Sequence, residues 1–418
     1  MDISVLIPTL NEEKNLIKLI PKLKKTLKTL DIEYELLIID GGSKDRTVKV
    51  AIELGAIVIS EHRPGYGRAL KAGFDVAKGN FLITMDADLA HEPDFIKDMW
   101  KKKDEAELII ASRYLPGSKS EMGIFRTVLS ILLNRFFSFG LFMPVKDISS
   151  GFRMYSKDAI KSIDIDSIDF DVLEELLLKI YAKGWKITEL PFEYKARRYG
   201  KSHIKLFKFG LSYLKTFFKM WQLRNSIDCA DYDYRAYYSR IPFQKYWQRK
   251  RYEIVMGFIE DKSSIVDIGC GSSKIIIDLP EAIGVDIDFG KLLYLREMNE
   301  KVINATIGNL PFKNNSFLCA ICSEVIEHTK ERGIFEELNR ILQGNGILII
   351  GTPDYGRVSW RIIERIYGFI HRGGYADTHL THYSYKTLTD NLHKTGFEIL
   401  EFKYILGSEL IVKAKKVK

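Results

Sequence analysis

Cysteine is scarce in this sequence: Cys229, Cys270, Cys319 and Cys322 are the four in 418 residues. They are too few and too unevenly spaced for a disulfide framework, which points to a reducing compartment. Cys319 and Cys322 form a C-x-x-C within the apolar run Phe317-Leu-Cys-Ala-Ile-Cys322. Residues three apart on a strand point to opposite faces, so this pair is expected in the core and not around one metal. Long apolar runs are missing too. The nearest approach to a spanning segment, Thr127 to Val145, is broken by Asn134 and Arg135, so no membrane-spanning helix is expected. A basic leader is also absent, because Met1-Asp-Ile-Ser-Val-Leu-Ile-Pro8 reads directly as a strand and not as a signal peptide. These absences give the expectation of a cytoplasmic protein, in solution or at the inner face of the membrane.

What is present is the composition of a folded chain, 46% hydrophobic and 28% charged. Its length suits two or three domains. The net charge of +8 is uneven: residues 1–225 hold 37 Lys+Arg against 30 Asp+Glu, and the remainder holds 26 against 25. Lys195 to Arg224 carries nine basic residues and no acidic one. At helical spacing Lys205, Lys208, Lys215 and Lys219 fall on one side, with an aromatic face expected opposite. A solvated helix face and a helix lying on an anionic membrane both fit this pattern. Nucleic acid is not expected, since no binding module accompanies the charge.

The first half alternates β-branched runs with helical stretches, as parallel α/β sheets do. Strands are expected at Ile3–Pro8, Tyr34–Asp40, Ala56–Ser60 and Phe81–Asp86, with helices at Lys14–Leu30, Arg46–Leu54 and Gly67–Ala77. The alternation restarts with strands at Ser264–Ile268, Ala282–Asp286, Ser316–Ser323 and Gly346–Thr352, and a helix at Ile334–Leu342. Between the halves, Asp228 to Arg251 is too rich in tyrosine for a flexible linker and is expected to pack as lead-in helices. The domain boundary is placed near residue 226.

In the first half, Asp86-Ala87-Asp88 leaves the apolar strand Phe81-Leu-Ile-Thr-Met85. Two carboxylates at a strand exit suit a hard divalent cation shared with a diphosphate, whose leaving-group charge needs a counter-ion. Val5 to Glu12, Ile38 to Thr47 and Gly65 to Gly73 place further polar and glycine residues on the same edge, where open α/β sheets bind ligands. Together these stretches resemble family 2 glycosyltransferases with a GT-A fold, closest to the dolichyl- and polyprenyl-phosphate sugar synthases, over residues 1 to about 210. The resemblance implies that Pro8, Glu12 and Asp40 hold the nucleoside, and that Asp86 and Asp88 carry Mg or Mn and the diphosphate. It also implies that Arg113 faces the donor phosphates, that Lys146 to Arg153 forms the acceptor-side loop, and that the basic stretch around Arg197 and Arg198 closes over the donor. Glu175 falls on the helix where the family carries a Glu. Asp88, Asp147 and Arg113 are the residues placed at the chemistry. Asp147 would act as a base if the acceptor is a sugar hydroxyl. If the acceptor is a polyprenyl phosphate, already ionised, Asp147 would only orient. Such synthases often carry Gln two residues after the second Asp; here Ala90 stands there, followed by His91.

In the second half, Ile265-Val-Asp-Ile-Gly-Cys-Gly-Ser272 is a strand entering a glycine turn, and Ile283-Gly-Val-Asp286 is the next strand. Gly269 and Gly271 let backbone approach a ligand, and Asp286 suits a ribose. A nicotinamide dinucleotide site shares these features, but the third glycine is absent and the spacing to Asp286 is short. Asp267 before the turn suits an ammonium better than a pyrophosphate. This half resembles class I S-adenosylmethionine-dependent methyltransferases over about residues 240 to 405. The likeness places Asp267, Gly269 and Gly271 around the methionine part, Asp286 on the ribose, and Thr306 with Ile307 at the adenine. Relatives often have Asp at the positions of Thr306 and Leu318. His328, His379 and His382 are candidate bases, although solvated loop positions are expected for them, and His379-Leu-Thr-His382 lacks an evident third metal ligand.

The expected architecture is thus an α/β chain. It has a Rossmann-like GT-A glycosyltransferase domain at 1–225 and a class I Rossmann-like methyltransferase domain at 226–418. Its partners would be a nucleoside-diphosphate sugar, a polyprenyl phosphate or other lipid-linked acceptor, and the membrane surface. The alternative is a glycosyltransferase acting on a glycan hydroxyl, whose C-terminal domain only docks or binds.

Overall fold

The computed structural model describes residues 1–121, 123–195, 206–370 and 379–417. The chain forms two compact units, Met1–Arg224 and Asn225–Lys418.

Unit 1 begins as alternating strands and helices: β1 (Ile3–Thr9), α1 (Glu13–Lys28), β2 (Tyr34–Asp40), α2 (Thr47–Glu53), β3 (Ile57–Ser60), α3 (Tyr66–Val76) and β4 (Phe81–Thr84). Leu16, Leu19, Ile20, Leu23 and Leu27 give α1 the apolar stripe that buries it on the sheet. After α4 (Ile96–Lys101) come β5 (Leu108–Ser112), the short β6 (Lys119–Ser120) and α5 (Ile124–Gly140). Then follow β7 (Arg153–Ser156), α6 (Lys157–Lys161), α7 (Val172–Ala182), β8 (Ile187–Pro191), β9 (Glu193–Tyr194) and α8 (Leu206–Arg224). The main sheet runs β3-β2-β1-β4-β7-β5-β8, with β7 antiparallel to both neighbours. Both faces are covered. Ile3, Val5 and Ile7 of β1 pack on one side and Leu6 on the other, into separate apolar clusters.

Helix α8 docks through Tyr213, Thr216, Met220 and Arg224, all buried. Tyr213 donates to Glu174 at 2.6 Å and Thr216 to Asp171 at 2.7 Å. Lys215 and Lys219 are exposed, and Leu214, Phe218 and Trp221 are exposed on the strip beside them. The face opposite the lysines is aromatic as expected, with Tyr213 and Phe217, but it packs on Phe137 in the core and is not free to meet a membrane. Lys205 lies outside the described residues.

Unit 2 opens with α9 (Tyr232–Tyr237) and α10 (Pro242–Phe258), formed by the tyrosine-rich segment. Next come β10 (Ile265–Ile268), α11 (Lys274–Ile277), β11 (Ile283–Asp286), α12 (Phe289–Arg296), β12 (Val302–Asn304) and β13 (Phe317–Ser323). The unit ends with α13 (Ile334–Ile341), β14 (Leu342–Pro353), α14 (Val358–Ile370), α15 (Tyr385–Lys394), β15 (Phe397–Ile405) and β16 (Glu409–Lys416). The sheet order is β12-β11-β10-β13-β14-β16-β15, parallel except for β16, which is antiparallel to both neighbours. Cys319 and Cys322 are buried free thiols in the clusters on opposite faces of this sheet. Among the described residues no helix is long and apolar enough to cross a membrane.

Candidate active sites

In unit 1 the strand order reverses between β1 and β4, so their carboxyl ends bound a crevice. Strand β4 stops at Thr84, two residues earlier than expected, and Asp86 to Ala90 form a tight loop. Leu89 sits at φ 66°, left-handed backbone that leucine rarely adopts. This fold-back returns the His91 ring to the start of the loop, where its Nδ1 accepts the Asp86 N–H at 3.1 Å. Burial lowers the pKa of His91, so the ring is neutral with its proton on Nε2, 3.9 Å from Asp86 Oδ2. His91 therefore braces the backbone at Asp86. Ala90 beside it is fully buried.

The Asp86 side chain is 39% exposed. Asp88 is buried, and its Oδ1 accepts the Ala90 N–H at 3.1 Å. Asp86, Tyr66, His91, Arg113, Ser149 and Gly151 line one cavity of about 120 Å³. Tyr66, whose hydroxyl stands 3.5 Å from Asp86, was not singled out from the sequence. Burial, and then the Asp86 charge, raise its pKa well above normal, so it stays a neutral donor. Gly151 leaves room beside Tyr66, since a Cβ there would stand 3.2 Å from its hydroxyl.

Arg113 is bound on three sides. Asp147, fully buried, accepts its Nε at 2.8 Å, a terminal nitrogen at 2.7 Å and its backbone N–H at 2.9 Å, while Ser149 takes a further bond at 2.9 Å. Burial alone would lower the Arg113 pKa, but Asp147 outweighs it and the guanidinium stays charged. With both oxygens so engaged, Asp147 holds Arg113, an arrangement that suits the orienting role of the two open to it. The loop carrying it is clamped by buried Arg153, which donates to the carbonyls of Ile148, Ser150 and Leu173.

The remaining candidates of unit 1 stand elsewhere. Asp40, buried at the end of β2, accepts the N–H groups of Gly42 and Ser43 at 3.0 Å. Pro8 pairs with Ile39 across the sheet, and the Glu12 N–H donates to Thr47 at 2.8 Å. None of these three lines the Asp86 cavity, and neither does Asp88. Glu175 is fully buried and accepts from the Ser167 N–H and Lys179. Arg197 and Arg198 lie outside the described residues.

Unit 2 reverses its strand order at β10, and there a cavity of about 360 Å³ opens, within the range of small-molecule sites. Asp267, Gly269, Gly271, Asp286, Thr306 and Ile307 all line it. Gly269 (φ 67°) and Gly271 (φ 52°) occupy left-handed backbone. A Cβ on the first would overlap Val325, and one on the second would overlap the Asp233 carboxylate. Asp286 fixes the turn, accepting Gly271 N–H at 2.7 Å and Asp288 N–H at 2.8 Å. Asp267 is buried with Oδ2 unpartnered. Burial, with Asp286 nearby, pushes its carboxyl up to about 8. A buried, orphaned carboxylate facing a cavity is a seat for a cationic group.

Sequence reasoning missed Asp233 and Lys291. Asp233, on lead-in helix α9, accepts from Ser272 N–H at 3.1 Å and from Lys291 at 3.0 Å. It closes the glycine turn from a position 38 residues upstream of Gly271 (271 − 233), a distance that no local motif spans. The expectation of solvated loop histidines holds for exposed His382 but is corrected for His379, whose side chain is 2% exposed. Burial, then the neighbouring His328 and His382, lower its pKa to about 4.

Residues 4–164 match the glycosyl transferase family 2 model, and residues 266–350 match a methyltransferase domain. The chain is a family 2 glycosyltransferase domain joined to a methyltransferase domain. The first sheet is accordingly GT-A-like and the second is the Rossmann-like sheet of methyltransferases, and these are the domains of an enzyme. Over 238 residues the chain is 32% identical to the dolichol-phosphate mannosyltransferase of Pyrococcus furiosus, covering 54% of this chain and 66% of that protein. The low-salt glycan biosynthesis hexosyltransferase Agl6 of Haloferax volcanii is 30% identical over 51% of this chain and 52% of its own. The polyprenol monophosphomannose synthase of Mycolicibacterium smegmatis is 29% identical over 54% of this chain and 89% of its own. The match thus spans just under two thirds of the first of these relatives and about half of the second. All three alignments cover little more than half of this chain, as a family 2 glycosyltransferase domain with a methyltransferase domain appended requires.

Proposed function

We propose that the glycosyltransferase domain moves a sugar from a nucleoside diphosphate to a polyprenyl phosphate, and that the methyltransferase domain moves a methyl group from S-adenosylmethionine to a separate acceptor. The observation that carries the first half is the occupancy of Asp147. With both carboxylate oxygens on Arg113 and Ser149, no base stands there for a neutral sugar hydroxyl. An acceptor that is already ionised needs none, only charge and alignment. The names of the dolichol-phosphate and polyprenol relatives support the same acceptor class.

In this reading Pro8, Glu12 and Asp40 line the nucleoside end of the crevice, and Arg113, with Arg197 and Arg198, meets phosphate charge. Asp86 and Asp88 would hold Mg or Mn, which supplies the counter-charge for the departing diphosphate. The fit is favourable on Asp86, exposed at the strand exit and braced by His91. Tyr66 stays protonated and can donate to an oxygen bound there. Access by a lipid is supported by helices α5 and α8. The two helices touch through Phe136 and Phe217 and expose Leu132, Phe136, Phe139, Phe218 and Trp221 together with Lys215, the apolar and basic surface of helices that lie on a membrane. The test is a screen of labelled guanine and uracil nucleotide sugars with polyprenyl phosphate. Butanol-extractable label is expected from one of them, and its absence with every donor defeats the acceptor assignment.

For the second half, S-adenosylmethionine brings its own leaving group as a sulfonium, so the domain has to bind and align. Asp267 would take the ammonium, Gly269 and Gly271 admit the methionine part, Asp286 the ribose, and Thr306 with Ile307 the adenine. The orphaned Asp267 oxygen supports this choice of ligand, because a cation satisfies it and a pyrophosphate does not. Calorimetric titration with S-adenosylmethionine is expected to show one site. A flat titration would make this domain a docking module.

A further inference from the structure

Beside the donor cavity lies a polar cluster that the reading above leaves without a task. We propose that Glu327, His328 and His379 bind a divalent first-row transition metal, and that this metal holds a hydroxyl-bearing methyl acceptor against the donor. The proposal rests on the assignment of the neighbouring cavity to a sulfonium methyl donor.

One ligand atom from each of the three residues lies within 4.8 Å of the other two. A zinc centre holds such ligands by bonds of about 2.0–2.2 Å to one ion. Glu327 is fully buried; its Oε2 accepts from Thr352 at 3.1 Å, and its Oε1 is unpartnered. A buried carboxylate oxygen left without a donor requires either a proton or a cation.

His379 is oriented for the cation. The Tyr355 hydroxyl donates its only proton to the Glu364 carboxylate, so at His379 it accepts. Nδ1 of His379, 2.7 Å away, is therefore the protonated nitrogen. The lone pair falls on Nε2, which is buried and without a partner. A carboxylate fixing a histidine tautomer through its far nitrogen is the support that metal-binding histidines receive. His328 completes the set, its ring centroid 4.8 Å from that of His379. Two imidazoles and one carboxylate suit zinc and its neighbours better than magnesium, and three protein ligands leave a coordination position open.

The location gives that position a use. His328 lines the donor cavity, and His379 lines a second cavity walled by Phe243, Trp247 and Trp360. Glu324 and Arg251 border both. The aromatic cavity suits the ring or apolar body of an acceptor, and the metal its hydroxyl. Coordination lowers the hydroxyl pKa so that its proton passes to water. The oxygen then forms the bond to the methyl carbon as the carbon–sulfur bond breaks onto sulfur, leaving a neutral thioether.

The test uses the full chain after chelator treatment, titrated separately with Zn²⁺ and with S-adenosylmethionine, and with Co²⁺ for its visible spectrum. One equivalent of tightly bound zinc is expected, with a cobalt spectrum of nitrogen ligation. His379→Ala is expected to lose both signals, and Tyr355→Phe, which removes the partner of Nδ1, to weaken zinc by about tenfold or more. Both variants should still bind S-adenosylmethionine, which reports that they are folded, and His382→Ala should bind zinc as the parent does. Absence of zinc binding by the parent, or undiminished binding by both His379→Ala and Tyr355→Phe, overturns the metal site. Failure to bind S-adenosylmethionine while zinc still binds overturns instead the donor reading on which it rests.

Discussion

Two buried carboxylates, Asp147 and Asp267, make opposite predictions. Asp147 is a buried anion whose partner is Arg113. Removing the charge leaves the guanidinium, only 13% exposed, without compensation, a situation that costs about 3–5 kcal/mol. Asp147→Asn is expected to lower stability by that order in urea unfolding and to abolish sugar transfer. A variant with parental stability would show that the pair is not what holds the loop. Asp267 is the reverse case, a buried carboxylate with no cation in place. Its carboxyl is held up near 8, against about 3.8 when unfolded. Between those values the folded state binds more protons than the unfolded one, so stability falls as pH rises through the window and levels off above it. Asp267→Asn removes that penalty. It should melt higher than the parent at pH 8 and like it at pH 4, while binding S-adenosylmethionine more weakly. Equal melting temperatures at pH 8 would contradict the raised pKa.

At the scale of elements, the periodic parts of the chain were legible and the long-range ones were not. Strands β1, β2, β10 and β13 were readable because their apolar runs are dense and end in turn residues. Their edges moved where pairing, not propensity, decides. Strand β14 begins at Leu342, because Leu342 pairs with Phe317 across an irregularity in β13, while local pattern alone starts it at Gly346. Strands β5, β7, β8, β15 and β16 and helices α14 and α15 were not assigned from the sequence. The six residues expected around the methyl donor were legible because they sit at or near successive strand exits, and all six line one cavity. Tyr66, Asp233 and the partners of His379 come from distant elements and were not. Helix α8 shows the same limit: helical spacing identified the lysine side, yet only packing against Glu174 and Asp171 tells which remaining face is buried. The exposed aromatics that result predict membrane binding. Phe139 and Phe218 are 67% and 62% exposed, and inserting each into lipid is worth roughly 1 kcal/mol, about fivefold in partitioning. Replacing both with Ser should cut co-sedimentation with anionic vesicles by roughly 25-fold at that value without lowering the melting temperature. Unchanged sedimentation would return α5 and α8 to the role of solvated helices.

For the whole molecule the deciding fact is that each unit has its own sheet and its own core on both sheet faces. Among the described residues no strand of one unit pairs in the other's sheet, and every residue lining the Asp86 cavity lies in unit 1, as every residue lining the donor cavity lies in unit 2. Substitutions at sites with no shared partners act additively. The two activities should therefore be separable by point substitution. Gly269→Arg places a long side chain where even a Cβ overlaps Val325 and sets it at a left-handed φ. It is expected to abolish S-adenosylmethionine binding and methyl transfer while sugar transfer continues at the parental rate. Asp88→Asn removes a carboxylate charge from the loop after β4 and is expected to do the converse, lowering sugar transfer by about a hundredfold or more with methyl-donor affinity unchanged. The measurement is both activities on both variants, with the parent in the same preparation. Loss of both activities in either variant would mean that the two sites are coupled, and the chain would then have to be treated as one catalytic device and not as two enzymes in series.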